Sequence, residues 1–292
     1  MTRPRVGIIG TGNVGTALAV GLDSAGYPVV AGWSRSTPAL DRFSSLLPTA
    51  EVVARPLAVV EAADIVFLTV PDSLIPVLAQ SLTWDASKTA VHCSGALSLD
   101  VLSPAAAEGA AVGSLHPLLP FASSSVELKG ATAAIEGDDR ALAVVQELAE
   151  ALGLRPLTLA PGQKPLYHTA AALLSNYTVT LFSLAEELFA QLGQSESEAR
   201  QSLLPLLQGV IANLSAARPA AALTGPISRG DASVLSSHLA ALAEYSPSMI
   251  PLYRELGLKT IDLALRHGSI EETTAGELRQ ALAAEQLQEV PA

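Results

Sequence analysis

Proton transfer needs a titratable side chain held beside a reacting atom. Lys164, Tyr167 and His168 stand together at the head of an apolar segment. By helical period Lys164, His168 and Ser175 share one face, with Tyr167 beside them. A lysine, a histidine and a tyrosine at the mouth of an apolar helix form a proton-transfer cluster, with Lys164 or His168 as the general acid or base. Pro165 disfavours helical geometry at the residue before it, so Lys164 is the expected cap.

Three other strings carry usable side chains. In His92-Cys93-Ser94-Gly95, Ser94 offers a hydroxyl to a substrate and His92 reads as a satisfied strand-end histidine. Cys93 is the only cysteine of the chain and, with no paired base in view, reads as a small buried hydrophobe. In Leu115-His116-Pro117, two readings of His116 stand side by side. It exchanges a proton with substrate, or it is a structural ring bonded to loop backbone. The stretch Leu223 to Asp231 contains Gly-Pro and Arg-Gly-Asp and reads as a stiff polar turn. Asp231 is placed to cap the next helix, and Arg229 either holds a substrate carboxylate or pairs on the surface. No metal site is expected.

The elements that position these residues start with Val6 to Ile9, a short apolar run that reads as a buried strand. It ends in Gly10-Thr11-Gly12-Asn13-Val14-Gly15, and an alanine-rich helical segment follows. Strand, glycine turn and helix in that order form the dinucleotide-binding fingerprint. Gly10 permits the tight turn, Gly12 lets a pyrophosphate approach the backbone, and Gly15 lets the helix pack on the strand. The free N–H groups of the helix start then face the phosphates.

Further strands are expected at Pro28 to Trp33, Ala50 to Val53, Asp64 to Val70, Thr89 to His92, Ala111 to His116, Ala131 to Ile135 and Arg155 to Leu159. Helical segments separate most of them. This alternation predicts an α/β domain with a doubly wound, mostly parallel sheet whose ligands lie at the carboxyl ends of the strands. At the second strand end stands Ser34-Arg35-Ser36, where an NAD site usually places a carboxylate. A guanidinium flanked by hydroxyls suits a 2′-phosphate, so the expected cofactor is NADP, with NAD possible. Val70 and Pro71 are expected along the ribose and nicotinamide, with Asp72 capping the next helix.

After about Leu159 the strand signals stop, and Ala160-Pro161-Gly162 is the expected linker. Residues 1–160 and 161–292 are read as two domains, the second all helical. Gln163 to Leu192 reads as one long helix, apolar nearly all round and therefore buried. Helices are expected at Glu196 to Leu214, Ala232 to Ala243, Pro247 to Arg266 and Thr274 to Ala284, with Glu285 to Ala292 frayed.

The chain has 292 residues, 49% hydrophobic and 15% charged, which excludes disorder as a whole. A net charge of -11 argues against nucleic acid and anionic membranes as partners. No apolar run is long enough to span a bilayer, and with the first strand so near Met1 no leader is expected. A single cysteine permits no intrachain disulfide and fits a reducing cytoplasm.

An N-terminal NADP-type nucleotide domain followed by a helical one resembles the 6-phosphogluconate-dehydrogenase-like superfamily, which includes β-hydroxyacid dehydrogenases, pyrroline-5-carboxylate reductase and prephenate dehydrogenase. Gly162, Lys164, Tyr167 and His168 resemble the glycine-led lysine and histidine of the β-hydroxyacid members. Ser94 is similar to their substrate serine, and His116-Pro117 to the prephenate dehydrogenase pattern. The chain resembles most closely the bacterial Rossmann-like proteins with a C-terminal domain of unknown function 2520, through His-x-Ser-Gly, Leu-His-Pro, Lys-x-x-Tyr-His and Gly-Pro-x-x-Arg-Gly-Asp. The resemblance implies a Rossmann domain, an NADP cofactor and a homodimer formed through the helical domain. The expected activity is hydride transfer between nicotinamide and a carbonyl, imine or hydroxyacid carbon of a small substrate, an anionic one where Arg229 holds its carboxylate. Lys164, His168, Ser94 and His116 would serve catalysis, and Ser94, Tyr167 and Arg229 would bind substrate. The alternatives are an NADP(H)-binding sensor or scaffold without chemistry, and a flavin or deazaflavin reductase with a broad, flat apolar pocket.

Overall fold

The computed structural model describes residues 3–284. Eight strands form one sheet: β1 (Val6–Ile9), β2 (Val29–Trp33), β3 (Glu51–Val52), β4 (Ile65–Leu68), β5 (Thr89–His92), β6 (Ala111–Pro117), β7 (Thr132–Gly137) and β8 (Arg155–Thr158). Their order is β3-β2-β1-β4-β5-β6-β7-β8. Neighbours from β3 through β6 pair parallel, β6 and β7 pair antiparallel, and β7 and β8 parallel. The expected doubly wound, mostly parallel sheet is therefore present. The antiparallel step arises because the chain between β6 and β7 holds no helix, and a parallel return needs a crossover.

The helices of the first part are α1 (Asn13–Ser24), α2 (Thr37–Leu46), α3 (Pro56–Ala62), α4 (Ile75–Ser81), α5 (Ser103–Ala107) and α6 (Ala141–Ala151). Ile8, Phe67, Val91 and Leu115 face one core with Leu18 and Leu22 of α1 and Leu148 of α6. Ile9, Val66, Leu68 and Ala90 face another with Val59 of α3, Ile75 of α4 and Leu102. Both faces of the central strands are covered, which is why those strands read as unbroken apolar runs.

The chain divides into two compact units, Met1–Asn176 and Tyr177–Ala292. The division falls beyond Ala160-Pro161-Gly162, so α7 (Lys164–Leu174) belongs with the sheet. The second unit holds most of α8 (Asn176–Gln191), then α9 (Glu196–Ala216), α10 (Pro219–Ala222), α11 (Pro226–Arg229), α12 (Ala232–Tyr245), α13 (Ile250–His267) and α14 (Glu272–Ala283). Ser195 and Glu198 form a capping box at the start of α9. The core of this unit joins Leu235 and Leu239 of α12, Ile261 and Ala264 of α13, and Leu278 and Leu282 of α14. Glu285 to Ala292, read as frayed, lie outside the described residues. Among the described residues no helix is long and apolar enough to cross a membrane.

The segment read as one long buried helix differs on both counts. It ends a turn at Ser175 and restarts as α8. Only Lys164 of α7 is buried, and no residue of α8 is. Leu166 is 76% and Val179 70% exposed, and on α9 Leu206 is 67% exposed. An apolar circumference records that a helix avoids water, not that its own chain is what covers it.

Candidate functional site

The glycine turn is built as its sequence demands. Gly10 has φ +111, and a Cβ there would stand 2.6 Å from the backbone carbon and oxygen of Thr69. Its amide donates to Trp33 O at 2.7 Å and its carbonyl accepts from Thr69 Oγ1 at 2.7 Å, so β1, β2 and β4 all hold the turn. A Cβ on Gly15 would collide with Gly10 O and lie 2.5 Å from Thr69 Oγ1. A Cβ on Gly12 would meet nothing within 4 Å. Gly12 caps α1, so the open space faces free helix N–H groups.

A cleft of about 360 Å³ opens at this point, at the carboxyl ends of β1, β2 and β4. Gly10, Gly12, Arg35, Val70 and Pro71 are on its wall, with Ser34 and Ser36. Ser36 caps α2 by accepting from Ala39 N, and Ser34 Oγ accepts from Ser36 N at 3.3 Å. Arg35 makes no salt bridge among the described residues and is exposed. Thr11, Asn13 and Val14 are not on the wall. Thr11 is fully buried and its Oγ1 lacks a partner among the described residues. Asn13 Nδ2 donates to Phe121 O at 3.0 Å, and Val14 packs on the core. These three shape the turn, while the glycines and the Ser34–Ser36 loop present the open surface.

A second cavity, of about 550 Å³, lies beside the end of β6 and α7. His116, Tyr167 and His168 supply polar atoms, and Leu118, Leu119 and Pro120 an apolar wall. His116 Nδ1 is 2.9 Å from Tyr167 Oη, and the His116 and His168 rings meet edge to face at 6.0 Å. Gly95 makes this approach possible: a Cβ there would stand 2.6 Å from His168 Nδ1 and 2.8 Å from His116 Nε2. Burial, with His168 and Lys164 close by, lowers the His116 pKa to about 4, so the ring is neutral at pH 7. Burial pushes the Tyr167 hydroxyl up to about 12.

Lys164 is not on that wall. It is 1% exposed, with Nζ 2.7 Å from Glu136 Oε2 and 2.6 Å from Ser114 Oγ. Burial lowers its pKa while Glu136 works against the change. It is also not the cap: Gln163 is, and Lys164 opens the helix with Pro165 behind it. Pro165 sits where its missing N–H costs nothing.

Ser94 is held in place as well. Its hydroxyl donates to Asp72 Oδ2 at 2.7 Å and accepts from the amides of Ala96 and Leu97. Its only proton is spent on Asp72, which does not cap the short helix it opens. His92 is fully buried; Nδ1 accepts from Ser94 N at 3.2 Å, and Nε2 has no partner among the described residues. Burial brings its pKa to about 3. Burial raises the Cys93 thiol to about 12, which leaves no thiolate at pH 7 and agrees with its reading as a packed hydrophobe. In the second unit Arg229 Nε pairs with Asp231 Oδ2 at 3.0 Å. Asp231 stands at the N-cap of α12, but its side chain makes no cap bond, because the arginine takes it.

Sequence reasoning missed Glu136, Ser114, Asp72 and Gly95. Glu136 had a signal: it is the lone carboxylate in the apolar run from Ala131 to Gly137.

The model of a Rossmann-like domain matches residues 1–117, and that of the domain of unknown function DUF2520 matches residues 131–260. The chain belongs to the proteins that join a Rossmann-like domain to a DUF2520 domain. Among solved structures, a protein from Bacteroides fragilis, whose name gives NADP oxidoreductase as a provisional assignment, is 25% identical over 89% of this chain and 99% of that one, with a TM-score of 0.72. A Thermotoga maritima protein is 25% identical over the same shares, with a TM-score of 0.75. A reductive aminase from Aspergillus terreus, solved with NADPH and ethyl-5-oxohexanoate, shares the fold at 23% identity over 92% and 95%, with a TM-score of 0.63. No curated protein matches the chain.

Proposed function

We propose that the chain is an NADP-dependent oxidoreductase acting on a carbonyl or imine carbon. The observation that carries this is the pairing, on one edge of one sheet, of a glycine-turn cleft with a cavity holding two histidines and a tyrosine. The neighbours named for NADP and for reductive amination support the same class.

The residues present fit the cofactor. Gly12 leaves room over free amides, and no carboxylate follows β2 to repel a 2′-phosphate. Gly10 and Gly12 would hold the pyrophosphate, Arg35 with Ser34 and Ser36 the 2′-phosphate, and Val70 and Pro71 the nicotinamide side. Bound there, the reduced nicotinamide supplies the hydride that a carbonyl or imine carbon accepts. A carbon that gains hydride leaves an oxygen or nitrogen that needs a proton. His168, whose side chain is exposed on the cavity wall, supplies it. His116 stays neutral and orients Tyr167 Oη toward the same atom. Lys164 takes no proton-transfer role in this scheme, because its ammonium is consumed by Glu136 and Ser114. The apolar wall selects a largely apolar small molecule.

The test is fluorescence titration with NADPH and NADH, then turnover on a panel of ketones with amines. Arg35→Ala is expected to weaken NADPH about tenfold to a hundredfold and leave NADH unchanged, since a charge-assisted phosphate contact is worth roughly 1.5–3 kcal/mol. Equal NADPH binding before and after removes the 2′-phosphate assignment. Binding without turnover on any panel member points to the sensor or scaffold instead.

The exposed apolar residues of α8 and α9, such as Val179, Leu206 and Ile211, support a homodimer through these helices. Sedimentation should give twice 30.0 kDa at micromolar concentration. A monomer there ends this part of the reading.

A further inference from the structure

Ser114 and His116 are two residues apart on β6 and so project from the same face. Glu136 on β7 is the antiparallel register partner of Ser114, and directly paired residues share a face. Above this row lies the first turn of α7. Lys164 Nζ reaches Glu136 Oε2 and Ser114 Oγ, and Ser114 Oγ is also 3.3 Å from Glu136 Oε2. One helical turn on, Tyr167 Oη meets His116 Nδ1. The spacing of Lys164 and Tyr167 on the helix thus matches that of Ser114 and His116 on the strand. Glu136 is 6% exposed, so the ammonium and carboxylate are both out of water and neither tolerates loss of the other.

We propose that Lys164, Glu136 and Ser114 form a buried clamp that fixes the rotation and height of α7, and that these positioning residues act on the site only by setting Tyr167 against His116. A surface lysine could not do this, because an exposed pair is too weak to fix a helix. The clamp rests on the reading of Tyr167 and His116 as part of the site, but its test needs no turnover. Failure of every substrate would remove that reading and leave the clamp standing.

The groups that face His116 are Tyr167, His168 and Lys164 from α7, Asp72 after β4 and His92 from β5, while Glu136 from β7 bears on it through Lys164. The readout is therefore chosen to report geometry and not charge alone. Long-range proton–nitrogen NMR of the full chain at pH 7.5 gives the tautomer of the His116 ring, which the Tyr167 hydrogen bond holds. The wild-type ring is expected in one tautomer by more than about tenfold. In the K164M/E136Q pair, which removes both charges together, the preference falls below about threefold while near-ultraviolet dichroism stays native. S114A, which keeps the ion pair, lowers it part of the way, and S114T restores it. A folded K164M/E136Q protein with the wild-type ring overturns the proposal. Should that protein fail to fold, an unchanged ring in S114A overturns it.

Discussion

Gly15→Ala is expected to lose both the fold's margin and the cofactor. The added methyl would point at Gly10 O and Thr69 Oγ1, with Ile8 Cγ2 at 3.0 Å. Gly10 O cannot step aside, since Thr69 and β2 hold the turn from two sides. Overpacking against fixed backbone costs about 1–3 kcal/mol, and the helix start moves off the strand end by whatever the clash demands. The free amides then no longer converge, and NADPH affinity should fall by about a hundredfold, or roughly 2.7 kcal/mol. Gly12→Ala separates the two effects. Nothing lies within 4 Å of its added carbon, and its φ of -69 suits alanine. Its stability should stay within about 1 kcal/mol of wild type, the small difference between glycine and alanine at a helix cap. Its NADPH affinity should still fall at least about tenfold, because the methyl occupies the space a pyrophosphate needs. Urea unfolding and NADPH titration of the two variants measure this directly. Wild-type NADPH affinity in Gly12→Ala would show that no phosphate rests on this turn.

A second large effect is expected in acid. His116 titrates near 4 and His92 near 3 in the folded chain, against 6.5 when unfolded. Between those values the unfolded chain binds protons that the folded chain refuses, so stability rises with pH. It is complete above about pH 7 and is lost as pH falls through 6.5 toward 4. The gap at His116 alone is on the order of 3 kcal/mol, and His92 adds to it in the same direction. Urea unfolding at pH 7.5, 6 and 5 should show the decline, and His116→Gln should flatten part of it. Asp64, whose carboxyl Arg5 holds below its usual range, adds acid sensitivity of the same sign. Its share is lost only at the acid end of the range over which the histidines act. A protein equally stable at pH 7.5 and 5 would mean that both rings are solvated.

The glycine turn, the strands that flank it and the helices α9, α12, α13 and α14 were legible from sequence because each is decided within a few residues. Gly10 must adopt positive φ at its own position, and apolar runs such as Ile65–Leu68 are buried wherever a doubly wound sheet places them. The vacancy after β2 where a carboxylate might have stood is equally local. Choices of partner were not legible. Asp72 and Asp231 have the residue type and place of helix caps, yet each takes a nearer donor, Ser94 and Arg229, that the chain brings round from elsewhere or from two residues back. Burial of an apolar helix was misjudged for a related reason, since pattern does not say which surface does the covering.

What the sequence determined by itself is therefore the glycine turn, the sheet and the adjacency of Tyr167 and His168 on one helix, all set by short-range sterics and periodicity. What only the tertiary structure decided is the fate of Lys164. Its partner is fixed by the register of β6 against β7, which places Glu136 opposite Ser114. A charge in a low-dielectric interior must be met by its counter-charge, and that pairing is a property of the assembled sheet.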